Sequence, residues 1–426
     1  MTSRERILAA ISHEPVDRVP IDLGGTRQSG VSVFAYAKLR EHLARSSRRE
    51  EAPIRGQGSK VRDQTGNQSL FTSAATVPRV FDLFQMLAEI EPDVASRFGS
   101  DCVALNRRAV AFGIPNESWK PWRLHDGTAV EVPGSFFPER LPSGDLVLRR
   151  NGAIIAQMPE GGFYFDRSEK YPGALHPDLA SWEPPRLSAA DLEHFRAEAE
   201  RLHRTTDQAV IAALGPPYEL FNGLGQGGFE DWMVTFASEP DYVRQLYRKL
   251  TDAWLENLEA FQATVGDRVQ ILQIADDFGT QNAPFLSTRA FRELVLPAYR
   301  RGLDWVHQRT PWKVMLHSDG ALVPLLPSII EMGVDILNPV QTTAAGMDPR
   351  RLKAEFGERL VFWGGSCDCQ GTLTRGTPEQ VVAEVCAHLD AFMPGSGYVF
   401  ASVHNIQANV PPENIMALFD TALNYR

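Results

Sequence analysis

The residues best suited to chemistry lie at the end of an apolar run, VMLHSDG, which closes on His317 and Asp319. Side chains two residues apart on an extended backbone point to the same side, so this spacing places an imidazole beside a carboxylate. A second histidine, His404, follows another apolar run near the C-terminus. Imidazole and carboxylate together suit zinc or another divalent ion of similar character, and they leave one ligand position open for a substrate. We therefore predict a metal site made of His317, His404 and a carboxylate, Asp319 or Asp277. The alternative is a polar pocket lined by two hydrogen-bonded histidines.

A pair of neighbouring carboxylates, Asp276 and Asp277, ends the run VQILQIADDFG. Neighbours on a strand face opposite sides, so one of them is expected to face a pocket and the other a helix or loop. Close to a metal, such carboxylates would serve as a ligand and as a general acid or base. We predict Asp276 and Asp277 as the catalytic pair, and the sequence does not decide which one faces the site. The alternative is a cap for the helix that follows.

The elements that must position these residues alternate regularly between short apolar segments and helical patterns. Eight apolar segments start at residues 19, 101, 209, 270, 313, 335, 360 and 397. Helical patterns occupy residues 33–45, 81–98, 229–265, 288–309, 349–356 and 378–392, among others. Eight such units favour an α/β fold, the closed (β/α)8 TIM barrel, whose catalytic residues lie at the carboxyl ends of the strands. An open doubly wound sheet is the second choice, because DLGGTRQSG after the first strand does not match the GxGxxG phosphate loop.

The region between the second and third predicted strands has a different character. Turn dipeptides follow one another closely at Asp126-Gly127, Ser143-Gly144 and Asn151-Gly152, each flanked by apolar or alternating residues as in hairpins. This pattern predicts a β-rich insertion after the second strand. We accordingly divide the chain into residues 1–106 as the first part of the barrel, 107–185 as the insertion and linker, and 186–426 as the remainder of the barrel.

The composition excludes several classes of protein. The chain has 426 residues, of which 43% are hydrophobic and 23% charged, and its net charge of −10 argues against nucleic acid or an anionic membrane as a partner. Apolar runs long enough to span a bilayer are absent, and the charged, amphipathic start does not match a signal peptide. Four cysteines do not make a disulfide framework in a chain of this length. We expect a cytoplasmic protein with reduced thiols; the oligomeric state is left open, a homodimer included.

Six stretches of the chain carry a family resemblance. They are PPYELFNGLGQGGFEDWM, ILQIADDFGTQ, FRELVLPAYRRGLDWVH, MLHSDG, MGVDILNPVQ and GYVFASVHNIQANVPPENI. Together they resemble the uroporphyrinogen decarboxylase superfamily over nearly the whole barrel, residues from about 107 to 185 excluded. The resemblance implies a (β/α)8 barrel, in agreement with the strand count.

Two chemistries are known in that superfamily, decarboxylation of uroporphyrinogen without metal or cofactor, and zinc-dependent methyl transfer with corrinoid proteins. The methyltransferases carry a His-x-Cys motif at the position of His317 and Asp319. They carry a further cysteine before a P-x-E-N helix start, and His404 matches that position, upstream of Pro412. The resemblance therefore implies a metal site at His317, Asp319 and His404, with Asp and His in place of thiolates.

The departures from the decarboxylase pattern concern its substrate-binding charges. The decarboxylase binds propionates through an arginine-rich N-terminal stretch and has an aspartate after its second strand. Here the first strand leads to Arg27 alone, and Asn106 stands near the expected aspartate. Because unpaired carboxylates in a cavity are costly, a tetrapyrrole with many carboxylates needs a cluster of cations. Decarboxylation of uroporphyrinogen is therefore not expected.

The preferred function is transfer of a methyl group from a small methylated compound, such as a methoxylated aromatic, to a corrinoid. A separate protein must carry the corrinoid, because the chain has no DxHxxG motif. The expected cofactor is Zn²⁺ or another divalent metal, with cobalamin only on the partner. A cofactor-independent lyase of a small carboxylic acid and a non-enzymatic small-molecule sensor are the alternatives. The expected substrate-binding residues are Arg27, Asn106, Tyr218, Phe278, Gln341 and Cys367.

Overall fold

The computed structural model describes residues 1–51, 76–168, 176–221 and 229–426, and its centre is a curled sheet of seven parallel strands. Each strand pairs with the next strand of this sheet along the chain. The strands are β1 (Cys102–Leu105), β2 (Ala209–Ala213), β3 (Ile271–Ala275), β4 (Lys313–His317), β5 (Ile336–Asn338), β6 (Val361–Trp363) and β7 (Tyr398–Val399). Most of their residues are buried on both faces, which explains why the sequence shows apolar runs instead of alternation.

The first predicted strand, at residue 19, forms a single bridge instead of a regular strand. Ile21 pairs with Phe400, just beyond β7, and the carbonyl oxygen of Ile21 accepts a 2.7 Å hydrogen bond from the backbone of Asp101, just before β1. This short segment therefore contacts both edges of the sheet. It cannot continue as a ladder because Pro20 has no N–H to donate and Gly24 turns the chain with a φ of +83°.

Helices surround the sheet, and the helical patterns at 349–356 and 378–392 are confirmed to the residue. The helical pattern at 229–265, which predicts one or two helices, forms two helices separated by a single residue, Glu239. The α-helices are Ser3–Ile11, Val33–Glu51, Pro92–Arg97, Ala189–Thr205, Phe229–Ser238, Pro240–Val265, Thr288–Ala290, Leu296–Arg309, Leu326–Glu331, Pro349–Phe356, Thr372–Arg375, Pro378–Phe392 and Pro412–Asn424. A π-helical turn, Phe291–Val295, joins two of them, and 3₁₀ turns lie at Gly266–Arg268 and Val323–Leu325. Among the described residues, no helix combines the length and the apolar character needed to cross a membrane.

The predicted helix at residues 81–98 is wrong. Strands Val80–Asp82 and Leu87–Ala88 pair antiparallel there, and a helix occupies only Pro92–Arg97. The Asp82 carboxylate accepts the backbone N–H groups of Phe84 and Gln85, at 2.9 and 3.3 Å, and so stabilises a turn in place of the helix.

Antiparallel strands follow β1 in the chain. Lys120–Arg123 pairs with Ala129–Val132, and a second sheet contains Glu139–Arg140, Leu146–Arg150, Ala153–Met158 and Arg167–Ser168. Glycines with positive φ, such as Gly127 and Gly144, lie at the turns that the dipeptides indicated. That residues 107–185 form an insertion separate from the barrel stays a prediction.

One end of the sheet is filled by apolar side chains. Ile7, Ala10 and Ile11 of the N-terminal helix pack against inward residues of the strands, among them Met315 and Ile336. Side chains two residues further along the strands therefore point inward at the opposite, carboxyl end. That end remains available for polar residues.

A buried carboxylate holds the N-terminal segments to the sheet. Asp101, which precedes β1, is 0% exposed and accepts hydrogen bonds from Arg6 at 2.6 Å and from Arg18 at 2.8 Å. It also accepts the backbone N–H of Ile21 at 2.9 Å. Asp101 thus joins the N-terminal helix, the Ile21 segment and β1.

Candidate metal centre

The strand alternation places two polar residues at the carboxyl end of the sheet. His317 ends β4 and Asn338 ends β5, and the two are paired neighbours in the parallel register. Both lie two residues beyond the inward apolar layer of Met315 and Ile336. His317 is only 5% exposed, so its imidazole is held by the surrounding protein.

The structure brings together the three residues that the sequence predicted as metal ligands. One nitrogen or oxygen of each of His317, Asp319 and His404 lies within 4.8 Å of the others. The His317 Nε2 atom is 3.6 Å from an oxygen of Asp319, and the centres of the two imidazole rings are 5.8 Å apart. Tetrahedral zinc with ligands at about 2.0–2.1 Å separates its ligand atoms by roughly 3.3 Å. The donor set is one that could hold a divalent metal ion, and its atoms lie somewhat further apart than the ligand atoms of tetrahedral zinc.

Asn338 determines which nitrogen of His317 faces the other two ligands. The Asn338 Nδ2 group donates to the carbonyl oxygen of Trp363 at 3.3 Å, so its Oδ1 atom faces His317 Nδ1, at 2.8 Å. With that oxygen as the acceptor, the proton lies on Nδ1, and the unprotonated Nε2 atom faces Asp319 and His404. This is the outer-shell arrangement that orients histidine ligands of metals.

Replacing this outer-shell partner should weaken metal binding without removing a ligand. We expect Asn338→Leu to bind zinc 10- to 100-fold more weakly, because the His317 tautomer and ring orientation are no longer held. Competition with a chromophoric chelator measures the affinity, and Asn424→Leu, in the last turn of the C-terminal helix, is the matched control. Wild-type affinity in Asn338→Leu would contradict this role.

The electrostatics favour a neutral imidazole at His404. Burial lowers the pKa of His404, and the neighbouring His317 lowers it further, while Asp319 and Asp277 act in the opposite direction. The neutral imidazole is the form that binds a metal ion.

Three adjoining cavities lie around these residues. The inner cavity, of about 450 Å³, is lined by His317, Asp319 and His404 together with Asp277 and Arg27. The side cavity, of about 490 Å³, is more apolar and shares Arg27 with it. The vestibule, of about 660 Å³, shares Asp319 and His404 with the inner cavity. The candidate metal ligands therefore lie where the inner cavity meets the vestibule.

The two neighbouring aspartates have different surroundings. Asp276 is buried and accepts the backbone N–H of Phe221 at 2.6 Å and the Tyr299 hydroxyl at 2.9 Å. Asp277 is half-buried and accepts the backbone N–H of Asp319 at 3.0 Å. Both line the inner cavity, but the Asp276 carboxylate is hydrogen-bonded to a loop through Phe221 and to a helix through Tyr299. Asp277 is the one beside the candidate ligands.

The predicted substrate-binding residues are distributed over the three cavities. Arg27 lines the inner and side cavities, and its Nε atom is 2.6 Å from Asp82. Asn106 and Tyr218 line the side cavity. Gln341 lines the vestibule, and its side-chain oxygen accepts the backbone N–H of Gly320 at 2.8 Å.

Two predicted substrate-binding residues do not reach a cavity. Phe278 is 0% exposed, and its ring packs against Phe221 and Phe291. Cys367 is also 0% exposed, and burial raises the pKa of its thiol. Cys369, two residues further along the chain, lines the vestibule. The strand alternation does not extend to Cys367, because Gly364 and Gly365 both have positive φ and redirect the chain after β6.

A buried carboxylate supports the loop that carries Arg27. Asp22 accepts the Trp363 indole N–H at 2.9 Å, the Gly25 N–H at 2.7 Å and the Ser29 hydroxyl at 3.0 Å. Burial raises the pKa of Asp22 to about 6 despite these three donors. Asp22 therefore links β6 to the loop at the cavity wall.

The sequence reasoning missed Asn338 and Glu219 as site residues. Glu219 lines both the inner and the side cavity. Asn338 could have been found as the polar residue that ends the strand after His317. Glu219 carries a weaker signal, since it follows the end of β2 by six residues in the run LGPPYEL.

Comparison with known proteins identifies the family of the chain. The sequence model of the uroporphyrinogen decarboxylase (URO-D) family matches residues 170–425. The uroporphyrinogen decarboxylase of Azoarcus sp. strain BH72 is 30% identical over 275 residues, which cover 61% of this chain and 72% of the relative. The enzyme of the same name from Aromatoleum aromaticum is 27% identical with the same coverage.

A solved structure supports the fold. A methyltransferase from Methanosarcina mazei superposes with a TM-score of 0.58 at 18% identity, over 99% of this chain and 98% of that one. This likeness concerns the fold alone. From the family match and the relatives we conclude that the chain belongs to the uroporphyrinogen decarboxylase family.

Proposed function

We propose that the protein is a metal-dependent methyltransferase that moves a methyl group from a small methylated compound to a corrinoid carried by a separate protein. The observation that carries the proposal is the cluster of His317, Asp319 and His404, with Asn338 orienting His317. Decarboxylation of uroporphyrinogen, the activity in the names of the relatives, has no use for such a cluster.

The charges of the inner cavity also disfavour a tetrapyrrole with many carboxylates. Glu219, Asp276, Asp277 and Asp319 line it, and among the described residues Arg27 is its one arginine or lysine. That arginine is already paired with Asp82. A substrate with several carboxylates would meet like charges in a partly closed space, which is costly.

Different residues have different roles in the proposed reaction. His317, Asp319 and His404 would hold the metal, which supplies a Lewis acid for the leaving oxygen of a methoxy group. Asp277, beside them, is the group we assign to pass a proton to the leaving oxygen as its bond to the methyl carbon breaks. The reduced cobalt of a corrinoid on the partner would supply the nucleophile for the methyl group. Tyr218 and Asn106 bind the rest of the donor in the side cavity.

We also propose a closed (β/α)8 barrel with a cover beside its mouth, formed by the segment from about residue 107 to 171, of which the structure describes residues 107–168. The contacts of Ile21 with both edges of the sheet support closure. Phe112 lines the inner cavity and Tyr164 the vestibule, which supports a cover that reaches the site from this segment.

A lyase acting on a small carboxylic acid is the second candidate. Arg27 and Arg107 both line the side cavity and offer cations to a single carboxylate. The names of the relatives point to the same reaction class.

One set of assays distinguishes the two candidate functions. Zinc-loaded protein is incubated with methoxylated aromatics and a reduced corrinoid protein, and separately with uroporphyrinogen. We expect the absorbance change of the corrinoid from its reduced to its methylated form, no such change in His317→Ala, and no coproporphyrinogen. Coproporphyrinogen formation at a useful rate would refute the proposal. A fully metal-loaded protein inactive with every methyl donor would favour the lyase.

A further inference from the structure

The vestibule has an unusual composition for a protein cavity. Seven of its seventeen lining residues carry a side-chain carboxamide, against 30 of 426 in the whole chain. Arg375 and Asp319 are its one arginine and its one carboxylate among the described residues, and their formal charges cancel. The vestibule therefore offers many hydrogen bonds without a net charge.

The carboxamides come from separate parts of the chain and are arranged in small networks. Asn405 donates to Gln85 at 2.7 Å and accepts from Gln407. Gln281 donates to Gln370 at 3.2 Å. Each carboxamide has two N–H donors and an oxygen with two lone pairs, so these bonds leave donor and acceptor positions for a ligand.

Apolar rings and the candidate metal ligands complete the wall. Phe84 and Tyr164 line the vestibule, and Phe84 also lines the inner cavity. Asp319 and His404 form part of the boundary between the two spaces. A flat, uncharged molecule with polar groups around its rim would match this wall, and it would lie next to the residues proposed to hold the metal.

We propose that the vestibule receives the corrin ring of the partner protein and recognises its carboxamide side chains. The proposal rests on the proposed function, which requires a corrinoid to approach the methyl group. A corrin carries acetamide and propionamide groups around its rim, and these pair reciprocally with protein carboxamides as donors and acceptors. A strongly charged partner surface would need an opposite charge, which the vestibule does not have.

The test uses free corrinoids, without partner protein or methyl donor. Cobinamide, whose rim carries amides, and cobyrinic acid, whose rim carries carboxylates, are titrated separately into the whole protein by equilibrium dialysis with absorbance detection. We expect saturable binding of cobinamide and weaker binding of cobyrinic acid. Equal binding of the two, or no binding of cobinamide, would overturn the proposal.

Variants locate the binding site. Gln281→Leu combined with Gln370→Leu should weaken cobinamide binding by about 10-fold, the effect of two neutral hydrogen bonds. The matched control combines Gln245→Leu with Gln308→Leu, exposed glutamines on outer helices. All four positions are exposed, so the fold should persist, and circular dichroism checks it. Equal affinity in the two double variants would refute the assignment to the vestibule.

These experiments distinguish a failure of corrin binding from a failure of the proposed methyl transfer. His317 does not line the vestibule, so we expect His317→Ala to bind cobinamide as wild type does. If cobinamide binds through Gln281 and Gln370 but no methyl donor is active, the function is refuted while corrin recognition stands.

Discussion

Removal of the His317 imidazole, as in His317→Ala, is expected to weaken zinc binding by about 100-fold or more. Loss of an outer-shell partner already costs 10- to 100-fold, and His317 would be a ligand itself. His404→Ala should behave in the same way, because each variant leaves two of the three proposed ligands. We expect wild type to hold about one divalent ion per chain.

Elemental analysis after dialysis gives the metal content, and chelator competition gives the affinity. His203→Ala, at an exposed position near the end of the helix Ala189–Thr205, is the matched control and should keep wild-type metal content. Circular dichroism must show an intact fold in all variants. Equal metal content in wild type, His317→Ala and His404→Ala would refute the metal site.

The second large effect concerns stability. We expect Asp101→Ala to lower the free energy of unfolding by about 3–5 kcal/mol, the usual cost of removing one partner of a buried ion pair. The substitution leaves Arg18 without its carboxylate partner, takes one of two carboxylates from the buried Arg6, and frees the N–H of Ile21. The contact between the Ile21 segment and β1 should weaken most.

Denaturant unfolding followed by circular dichroism and by fluorescence measures this change. Asp420→Ala removes a carboxylate paired with Arg97 at a half-exposed site, and it should cost no more than about 1 kcal/mol. A similar small loss in Asp101→Ala would show that the buried pair does not hold the N-terminal segments. Hydrogen exchange should also show faster opening of residues 18–23 in Asp101→Ala.

Strand positions and the ligand spacing could be determined from the sequence, because both are local. A strand buried on both faces must be a short apolar run, so seven of the eight predicted starts correspond to regular parallel strands. The same two-residue period predicted His317 and Asp319 on one side of the backbone, and the two side chains lie 3.6 Å apart although the strand ends at His317. His404 was a candidate because it follows another apolar run, and the family resemblance supported its pairing with His317, since no local pattern relates the two.

Only the tertiary structure decided the contacts that select between equivalent residues. The sequence does not show which of Asp276 and Asp277 faces the site. In the structure, the backbone N–H of Phe221 and the hydroxyl of Tyr299 both donate to Asp276, and this distinguishes it from Asp277. Asn338 acts on His317 only because β4 and β5 are neighbours in register. The error at residues 81–98 has a local origin instead, because the Asp82 side chain accepts the N–H groups two and three residues ahead and stabilises a turn against the helical pattern.

The vestibule depends on the tertiary structure most strongly, because its residues are far apart in the sequence. Gln85, Gln281, Gln370 and Asn405 are far apart in the chain and belong to different loops. No periodicity relates them, since each follows a different strand or turn. They meet because parallel strands place all their carboxyl ends at one edge of the sheet, and the loops that follow those ends share one mouth.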